Sequence, residues 1–237
     1  MKVLVIIPAY NEEKSILKTV NSLEKIKLKG HTLDYIIIND GSTDKTKEVC
    51  EMNQLNLIDL PFNLGIGGAV QTGYKYAYYN NYDVAIQFDG DGQHDGSYIN
   101  NLVTEIKSGN NIVIGSRFVS ELSEFKSTKI RRIGISFLSW LIKVVTGKKI
   151  YDPTSGFRAA DKKIIQLFAN DYPIDYPEPD TIVTVIKKGY QVAEIPVKMN
   201  KRENGKSSIN PMKSIYYMIK VSLAIIIAGA SSKKGSE

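Results

Sequence analysis

Residues 84–94 read Val-Ala-Ile-Gln-Phe-Asp-Gly-Asp-Gly-Gln-His. A short apolar run stops at two carboxylates one residue apart, with glycine between and after them. In extended backbone Asp89 and Asp91 project to the same side. Two close carboxylates repel unless a cation lies between them. Hard oxygen donors favour Mg²⁺ or Mn²⁺, and Mg²⁺ is commonly held by one or two carboxylates together with substrate phosphates. Gly90 and Gly92 allow close approach of backbone and ligand. The alternative is a polar turn after a strand, since Asp and Gly are common turn residues.

The elements that must position this pair alternate in type. Strands are expected at Val3–Ile7, Tyr35–Ile38, Leu55–Asp59, Val84–Phe88 and Ile112–Gly115. Helices are expected from Glu12 to about Lys27, over Thr43–Met52 with Ser42 or Thr43 as cap, from about Gly68 to Tyr79, and over Tyr98–Lys107. Short β-branched strands alternating with helices indicate a mainly parallel α/β sheet. Ligands of such sheets bind at the carboxyl ends of strands. Three polar turns fall there: Pro8-Ala9-Tyr10-Asn11-Glu12, Asn39-Asp40-Gly41-Ser42 and Asp89-Gly90-Asp91. Their convergence favours the metal-diphosphate reading over the turn.

A chain of 237 residues with 43% hydrophobic residues suits one large domain with a small appendage. One cysteine, Cys50, excludes a disulfide framework and fits a reducing cytoplasm, and two histidines exclude a multi-histidine metal site. The five-residue apolar run near the N-terminus is too short for a signal-peptide core and reads as a first buried strand. Net charge is +6, but residues 1–116 carry −4 and residues 117–237 carry +10. A basic second half calls for an anionic partner: phosphates, an acidic membrane surface or nucleic acid.

Two segments of the second half are apolar without being long. Residues 133–146 hold nine strongly apolar residues of fourteen, flanked by Arg131-Arg132 and Lys148-Lys149. Residues 212–230 carry Lys213 and Lys220 on one face. Each falls short of the ~20 apolar residues of a bilayer span, and a mid-span lysine costs ~2.5–3.5 kcal/mol on insertion scales. Both are expected to be amphipathic helices lying on an anionic membrane surface, the alternative being buried core helices. Residues 231–237 are expected to be a disordered tail.

Two motifs mislead. Gly65-Ile66-Gly67-Gly68-Ala69 is not a dinucleotide fingerprint, because its third glycine position is Val70. Gly205-Lys206-Ser207 is not a P-loop, because Asn200 occupies the place of the first glycine. Both remain Gly-rich loops able to touch phosphate.

In order, Pro8–Glu12, Asn39–Ser42, Asn63-Leu64-Gly65 with Gly67-Gly68-Ala69, Asp89–His94 and Gly115-Ser116-Arg117 resemble family 2 glycosyltransferases of GT-A fold. Arg131-Arg132 with Ser136, Asp152–Arg158 and Arg202–Ser208 resemble the dolichyl-phosphate mannose synthase branch, which includes bacterial polyprenyl-phosphate sugar synthases. The resemblance spans about residues 1–215. It implies a GT-A (Rossmann-like) domain over 1–211, with a nucleotide-sugar half (about 1–116) and an acceptor half (about 117–211). By the same resemblance Pro8, Tyr10, Glu12 and Asp40 hold base and ribose. Asp89, Asp91 and Gln93 hold Mg²⁺ or Mn²⁺ and the donor diphosphate. Arg117, Arg131 and Ser136 hold the acceptor phosphate, and Arg202 and Lys206 lie on a loop closing over the donor.

Asn39 departs from the Asp of many relatives. The chain also stops soon after residue 230, where many bacterial relatives continue into transmembrane helices. A peripheral enzyme at the inner face of the plasma membrane, with or without a separate small membrane partner, is therefore expected. The implied reaction moves a sugar, with inversion, from a UDP- or GDP-sugar to undecaprenyl or dolichyl phosphate, and no nucleic acid is involved. A lipid phosphate is already anionic and needs no protein base. If the acceptor is instead a hydroxyl of a growing surface polysaccharide, a carboxylate base is required, with Asp152, Glu178 and Asp180 as candidates. Asp91 and Asp152 are the expected catalytic carboxylates. Glu178 and Asp180, set among Pro177 and Pro179, read as a rigid acidic loop. The intact Asp89/Asp91 pair argues against a non-catalytic binding module.

Overall fold

The computed structural model describes residues 1–119, 129–200 and 211–231. Its centre is the first strand, β1 (Lys2–Ala9), of which residues 3–9 are all buried. β2 (Thr32–Asn39) and then β3 (Leu57–Asp59) pair parallel on one side of it, and β4 (Val84–Gln87) pairs parallel on the other. β5 (Ile112–Ser116), β6 (Arg158–Asp161) and β7 (Val192–Pro196) complete a seven-stranded sheet of order β3-β2-β1-β4-β6-β5-β7. β6 is antiparallel to both neighbours, so β5 and β7 run with β1 and β4. The carboxyl ends of six strands and the start of β6 therefore share one edge.

Helices cover both faces, as a buried parallel sheet requires. α1 (Ile16–Glu24), α2 (Thr46–Met52) and α4 (Ile99–Lys107) pack their apolar faces and Cys50 on Val3, Val5, Ile7 and Ile86. α3 (Gly65–Tyr79), α6 (Lys162–Asn170) and α7 (Pro177–Lys187) cover Leu4, Ile6, Ile38 and Ile114. Gly73 lets α3 lie on β1, since a Cβ there would come 2.2 Å from Ile6 Cγ2.

Outside this layer run α5 (Lys129–Thr146) and α8 (Pro211–Ser231). They pack side by side and parallel: Gly134 lies against Met218, and Gly229 against Val145. Their outward faces are apolar and open to solvent. Ile133, Phe137, Trp140 and Val144 of α5, and Ile219, Leu223, Ile226 and Ile227 of α8, are 43–70% exposed. Lys220 pairs with Asp175. Among the described residues, no helix is long and apolar enough to cross a membrane.

Several local expectations need correction. α1 starts at Ile16 and α2 at Thr46, each a turn late, because the residues before them bond to one another across the two loops. Ser42 and Thr43 cap nothing; α2 begins after Lys45 with no side-chain cap. The glycines at 65–68 open α3 instead of forming a phosphate loop: Gly67 N–H donates to Ile174 O at 3.1 Å, and its missing Cβ makes room for Pro173 and Ile174. Pro177–Asp180 is not a loop but the first turn of α7. Proline suits that position because the first helical N–H groups lack intrahelical partners.

Candidate active site

The turn after β1 and the turn after β2 form one unit. Asn11 takes a left-handed conformation (φ 59°), donates its N–H to Ser42 Oγ at 2.9 Å and accepts from Thr43 N–H at 2.8 Å. Glu12 N–H donates to Thr46 Oγ1 at 2.8 Å. Asp40, 4% exposed, accepts the Leu64 N–H at 2.7 Å and so binds the turn after β3. Gly41 (φ +63°) is forced to be glycine twice over, since a Cβ would come 2.7 Å from Asn63 N. Burial pushes the Asp40 carboxyl above its ordinary value, partly offset by the Leu64 and Gly65 amides. Tyr10 stands half-exposed over the unit, while Pro8 is buried beneath it. Asn39 donates to Asp59 at 2.6 Å, and Asp59 pairs with Lys47 at 2.7 Å. An aspartate at 39 would set two carboxylates in contact, which accounts for the asparagine.

β4 delivers the acidic pair next to this unit. Asp89 Oδ2 lies 3.1 Å from His94 Nε2. His94 is buried, stacked on Phe157 at 4.9 Å and edge-on to Phe88 at 5.3 Å. Burial raises the Asp89 carboxyl, but His94, the Gln87 amide and Arg117 outweigh it and the net displacement is downward. Gln87, 1% exposed, also bonds the Glu178 carboxyl, which burial raises above its ordinary value. Arg158, fully buried, fixes the first turn of α7 by donating to Glu178 O (3.2 Å) and Thr181 Oγ1 (3.1 Å). Asp91 Oδ1 accepts the Gln93 N–H at 3.0 Å. Gln93 O accepts from Asn200 N–H at 2.8 Å, and His94 bridges to Met199. The chain leading to residues 201–210 is thus fastened to the acidic turn.

Gly156 faces the Asp89 carboxylate: a Cβ there would come 2.9 Å from Gln87 Nε2 and 3.1–3.2 Å from both Asp89 oxygens. These are side-chain ends that can move, so Gly156→Ala is expected to shift the melting temperature by about 2–4 °C at most while weakening divalent-cation affinity about tenfold. Melting curves and a Mn²⁺ titration check this; unchanged Mn²⁺ affinity would refute it.

The basic side is built from the end of β5. Arg117, 4% exposed, clamps the fully buried Asp152: Nε to Oδ2 and Nη2 to Oδ1, both at 2.7 Å, with the Arg117 N–H on Oδ2 at 3.0 Å. Glu194 on β7 accepts the Tyr151 and Asp152 amides at 2.7 and 2.9 Å, and burial raises its carboxyl. Arg131 neighbours this pair. Desolvation and then the Arg117 charge push its guanidinium down, opposed by Asp152 and Tyr217. Ser136 does not join them. Five positions on from Arg131, it lies roughly 140° round α5, exposed, and lines a separate cavity with Arg132.

A profile described as Glycosyl transferase family 2 matches residues 4–168. The chain belongs to glycosyl transferase family 2. It is 33% identical over 221 residues to a UDP-N-acetylglucosamine–dolichyl-phosphate N-acetylglucosaminyltransferase of Methanococcus voltae, covering 83% of this chain and 84% of the relative. It is 27% identical over 219 residues to an undecaprenyl-phosphate mannosyltransferase of Micrococcus luteus, covering 89% and 88%. The fold matches glucosyl-3-phosphoglycerate synthase from Mycobacterium tuberculosis, solved with Mn²⁺, uridine diphosphate and phosphoglyceric acid. That match has a TM-score of 0.73 at 18% identity, over 99% of this chain and 80% of that one. The mainly parallel sheet flanked by helices is thus the GT-A fold.

In this glycosyltransferase, Pro8, Tyr10, Glu12, Asp40, Asp89, Asp91, Gln93, Arg117, Arg131 and Asp152 all collect at one sheet edge. Asp180 does not: it bonds Thr184 within α7 and feels Asp171, and burial raises its carboxyl. Arg202 and Lys206 lie outside the described residues. Sequence reasoning missed Gln87, Arg158 and Glu194 and left His94 without a role. Each carried a signal, being a polar or charged residue inside or beside an apolar run.

Proposed function

We propose that this glycosyltransferase moves a sugar, with inversion, from a nucleotide-diphosphate sugar to a polyprenyl phosphate at the cytoplasmic face of a membrane. One observation supports the reading above others. The turn at residues 152–156 links the two charged sides, since Gly156 faces Asp89 while Asp152 and Thr154 bond Arg117; Arg131 lies within electrostatic range of Arg117 and of the part-buried Tyr217 on α8, the helix that carries the exposed apolar face. A donor diphosphate, an acceptor phosphate and a lipid chain need that order.

Asp89 and Asp91 fit Mg²⁺ or Mn²⁺, with Gln93 beside them. Among the described residues no group of three His, Cys, Asp or Glu gathers, so the remaining ligands fall to diphosphate and water, as hard divalent cations accept. When bound, the cation supplies charge stabilisation for the leaving diphosphate. His94 and Gln87 hold Asp89 ionised and oriented. Pro8, Tyr10, Glu12 and Asp40 bind base and ribose, and Arg202 and Lys206 supply positive charge to the diphosphate.

Arg117, oriented by Asp152, and Arg131 share the acceptor phosphate. An anion between them relieves the repulsion of two close guanidinium groups. Asp152 then serves as the group that positions Arg117 and not as a base, because both its oxygens are already taken. The phosphate oxygen attacks unaided. A hydroxyl acceptor is the second reading, supported by the part-buried, upward-shifted Glu178 carboxyl near Asp89.

The deciding experiment supplies labelled UDP- and GDP-sugars, Mn²⁺ or Mg²⁺, and undecaprenyl phosphate. Label entering the lipid phase is expected, and transfer to saccharide acceptors alone would overturn the reading. Arg131→Ala is expected to raise the KM for lipid phosphate at least tenfold, with the nucleotide-sugar KM changing less than threefold. Equal effects on both would remove Arg131 from the acceptor site.

Asp40 yields a pH-dependent prediction. Its raised carboxyl binds a proton more tightly folded than unfolded. Stability therefore falls as pH rises from the ordinary carboxylate value through the raised one, and the penalty persists at neutrality. Asp40→Asn removes the charge and keeps an acceptor for Leu64 N–H. It is expected to melt at or above wild type at pH 7, while uridine or guanosine diphosphate binds roughly tenfold more weakly through loss of a charged acceptor. Lower stability together with unchanged nucleotide affinity would contradict both halves.

A further inference from the structure

A cavity of about 450 Å³ lies beside α5, between that helix, Phe118 and the Lys149–Tyr151 turn. Arg132, Lys143 and Lys149 line it, with Ser136 on the same helix face. No carboxylate lines it among the described residues. Besides Phe118, two amphipathic aromatics frame it: Trp140, 57% exposed, and Tyr151, whose ring holds the Lys149 ammonium 4.2 Å from its centroid. Arg132, Ser136, Trp140 and Lys143 recur every three or four residues, so they form one stripe. Trp140 belongs also to the exposed apolar stripe of Ile133, Phe137 and Val144, so the cavity opens directly onto that surface.

Three cations around one cavity repel each other and call for an anion. The amphipathic rings and the adjoining apolar stripe call for an acyl chain attached to it. We infer that this cavity binds the phosphate of an anionic phospholipid headgroup, with its acyl chains lying along the α5 stripe. The site adjoins the proposed acceptor-phosphate position, since Phe118 follows Arg117 and Tyr151 precedes Asp152, but its own cations are Arg132, Lys143 and Lys149 and neither Arg117 nor Arg131 lines it. The inference rests on the reading that the α5–α8 surface lies on a membrane. Bound lipid would hold the enzyme in the orientation that aims Arg131 at lipid acceptors.

The chain's single tryptophan, Trp140, is a built-in reporter. Short-chain phosphatidylglycerol, kept below its micelle concentration, is expected to change Trp140 emission saturably. Short-chain phosphatidylcholine and inorganic phosphate are expected to leave it unchanged. In Arg132→Gln/Lys149→Gln the midpoint should weaken at least tenfold, at about fivefold per cation removed. Lys187→Gln/Lys188→Gln, which changes a lysine pair away from the cavity, should match wild type. Four results would overturn the site: an unchanged midpoint in the cavity variant, equal loss in the remote variant, an equal response to phosphatidylcholine, or saturation by inorganic phosphate alone. Flotation with phosphatidylglycerol vesicles separates the two readings. Saturable binding of soluble lipid without vesicle binding would uphold the site and refute the membrane surface, whereas vesicle binding indifferent to the cavity cations would do the reverse.

Discussion

Asp91→Ala should lower sugar transfer at least a thousandfold while the protein melts within about 2 °C of wild type. The chemical half follows from what the pair must do. Charge accumulates on the leaving diphosphate, and removing one preorganised electrostatic contributor typically costs about 10²–10³ in turnover. The proposed site offers the cation two carboxylates among the described residues, so loss of one adds weakened occupancy to that cost. The structural half follows from the position of Asp91. It is part-buried in a turn, and its Oδ1 accepts the Gln93 N–H, which can turn to water when the carboxylate is gone. Asp89→Ala should be less clean, because Asp89 also partners His94 and Gln87 inside the fold. Turnover in several Mn²⁺ concentrations, with calorimetry of Mn²⁺ and nucleotide diphosphate together, checks the prediction. Near-normal turnover at saturating Mn²⁺ would remove Asp91 from the cation site.

The half of the chain that builds this acidic site was legible because two periodicities alternate there. β1, β2 and β4 are β-branched runs, and the helices between them carry apolar residues at three- and four-residue spacing. The turns that end the strands are rich in Asp, Asn and Gly, so their place at a carboxyl edge could be inferred. The second half was less legible for reasons visible in its residues. β6 is Arg-Ala-Ala-Asp, with no β-branched residue, and lies in the sheet because β4 and β5 bracket it and only small side chains fit between helices. β7 is short and interrupted by Glu194, which the sheet keeps because it binds the Asp152 turn. Pro177 and Pro179 look like loop residues, yet they begin α7. The pairings that define the site are of this non-local kind. Arg117 and Asp152 are 35 positions apart, and no periodicity connects them.

That pair supports the second large prediction. Arg117→Ala should destabilise the protein by about 3–5 kcal/mol, because it strands the Asp152 charge at a position with no solvent exposure. The Arg117 N–H, the Thr154 hydroxyl at 3.3 Å and the Glu194-anchored turn would still hold Asp152, but none of them supplies a positive charge. At about 2–4 °C per kcal/mol for a domain of this size, the melting temperature should fall by roughly 10 °C. Lost lipid-acceptor activity in this variant would therefore not identify a phosphate-binding role by itself. Arg117→Met combined with Asp152→Leu separates the two. Replacing both members of a buried pair by apolar residues of similar size is commonly neutral or stabilising, so the double variant should recover most of the lost stability. It should not recover the acceptor, since one of the two guanidinium groups proposed to face the phosphate is gone. The expected pattern is a wild-type-like melt, a lipid-phosphate KM raised at least tenfold, and a nucleotide-sugar KM within threefold of wild type. A double variant with wild-type KM for lipid would reduce Arg117 to a purely structural residue. A single variant that melts like wild type would show that the Asp152 charge is not held where the buried pair places it.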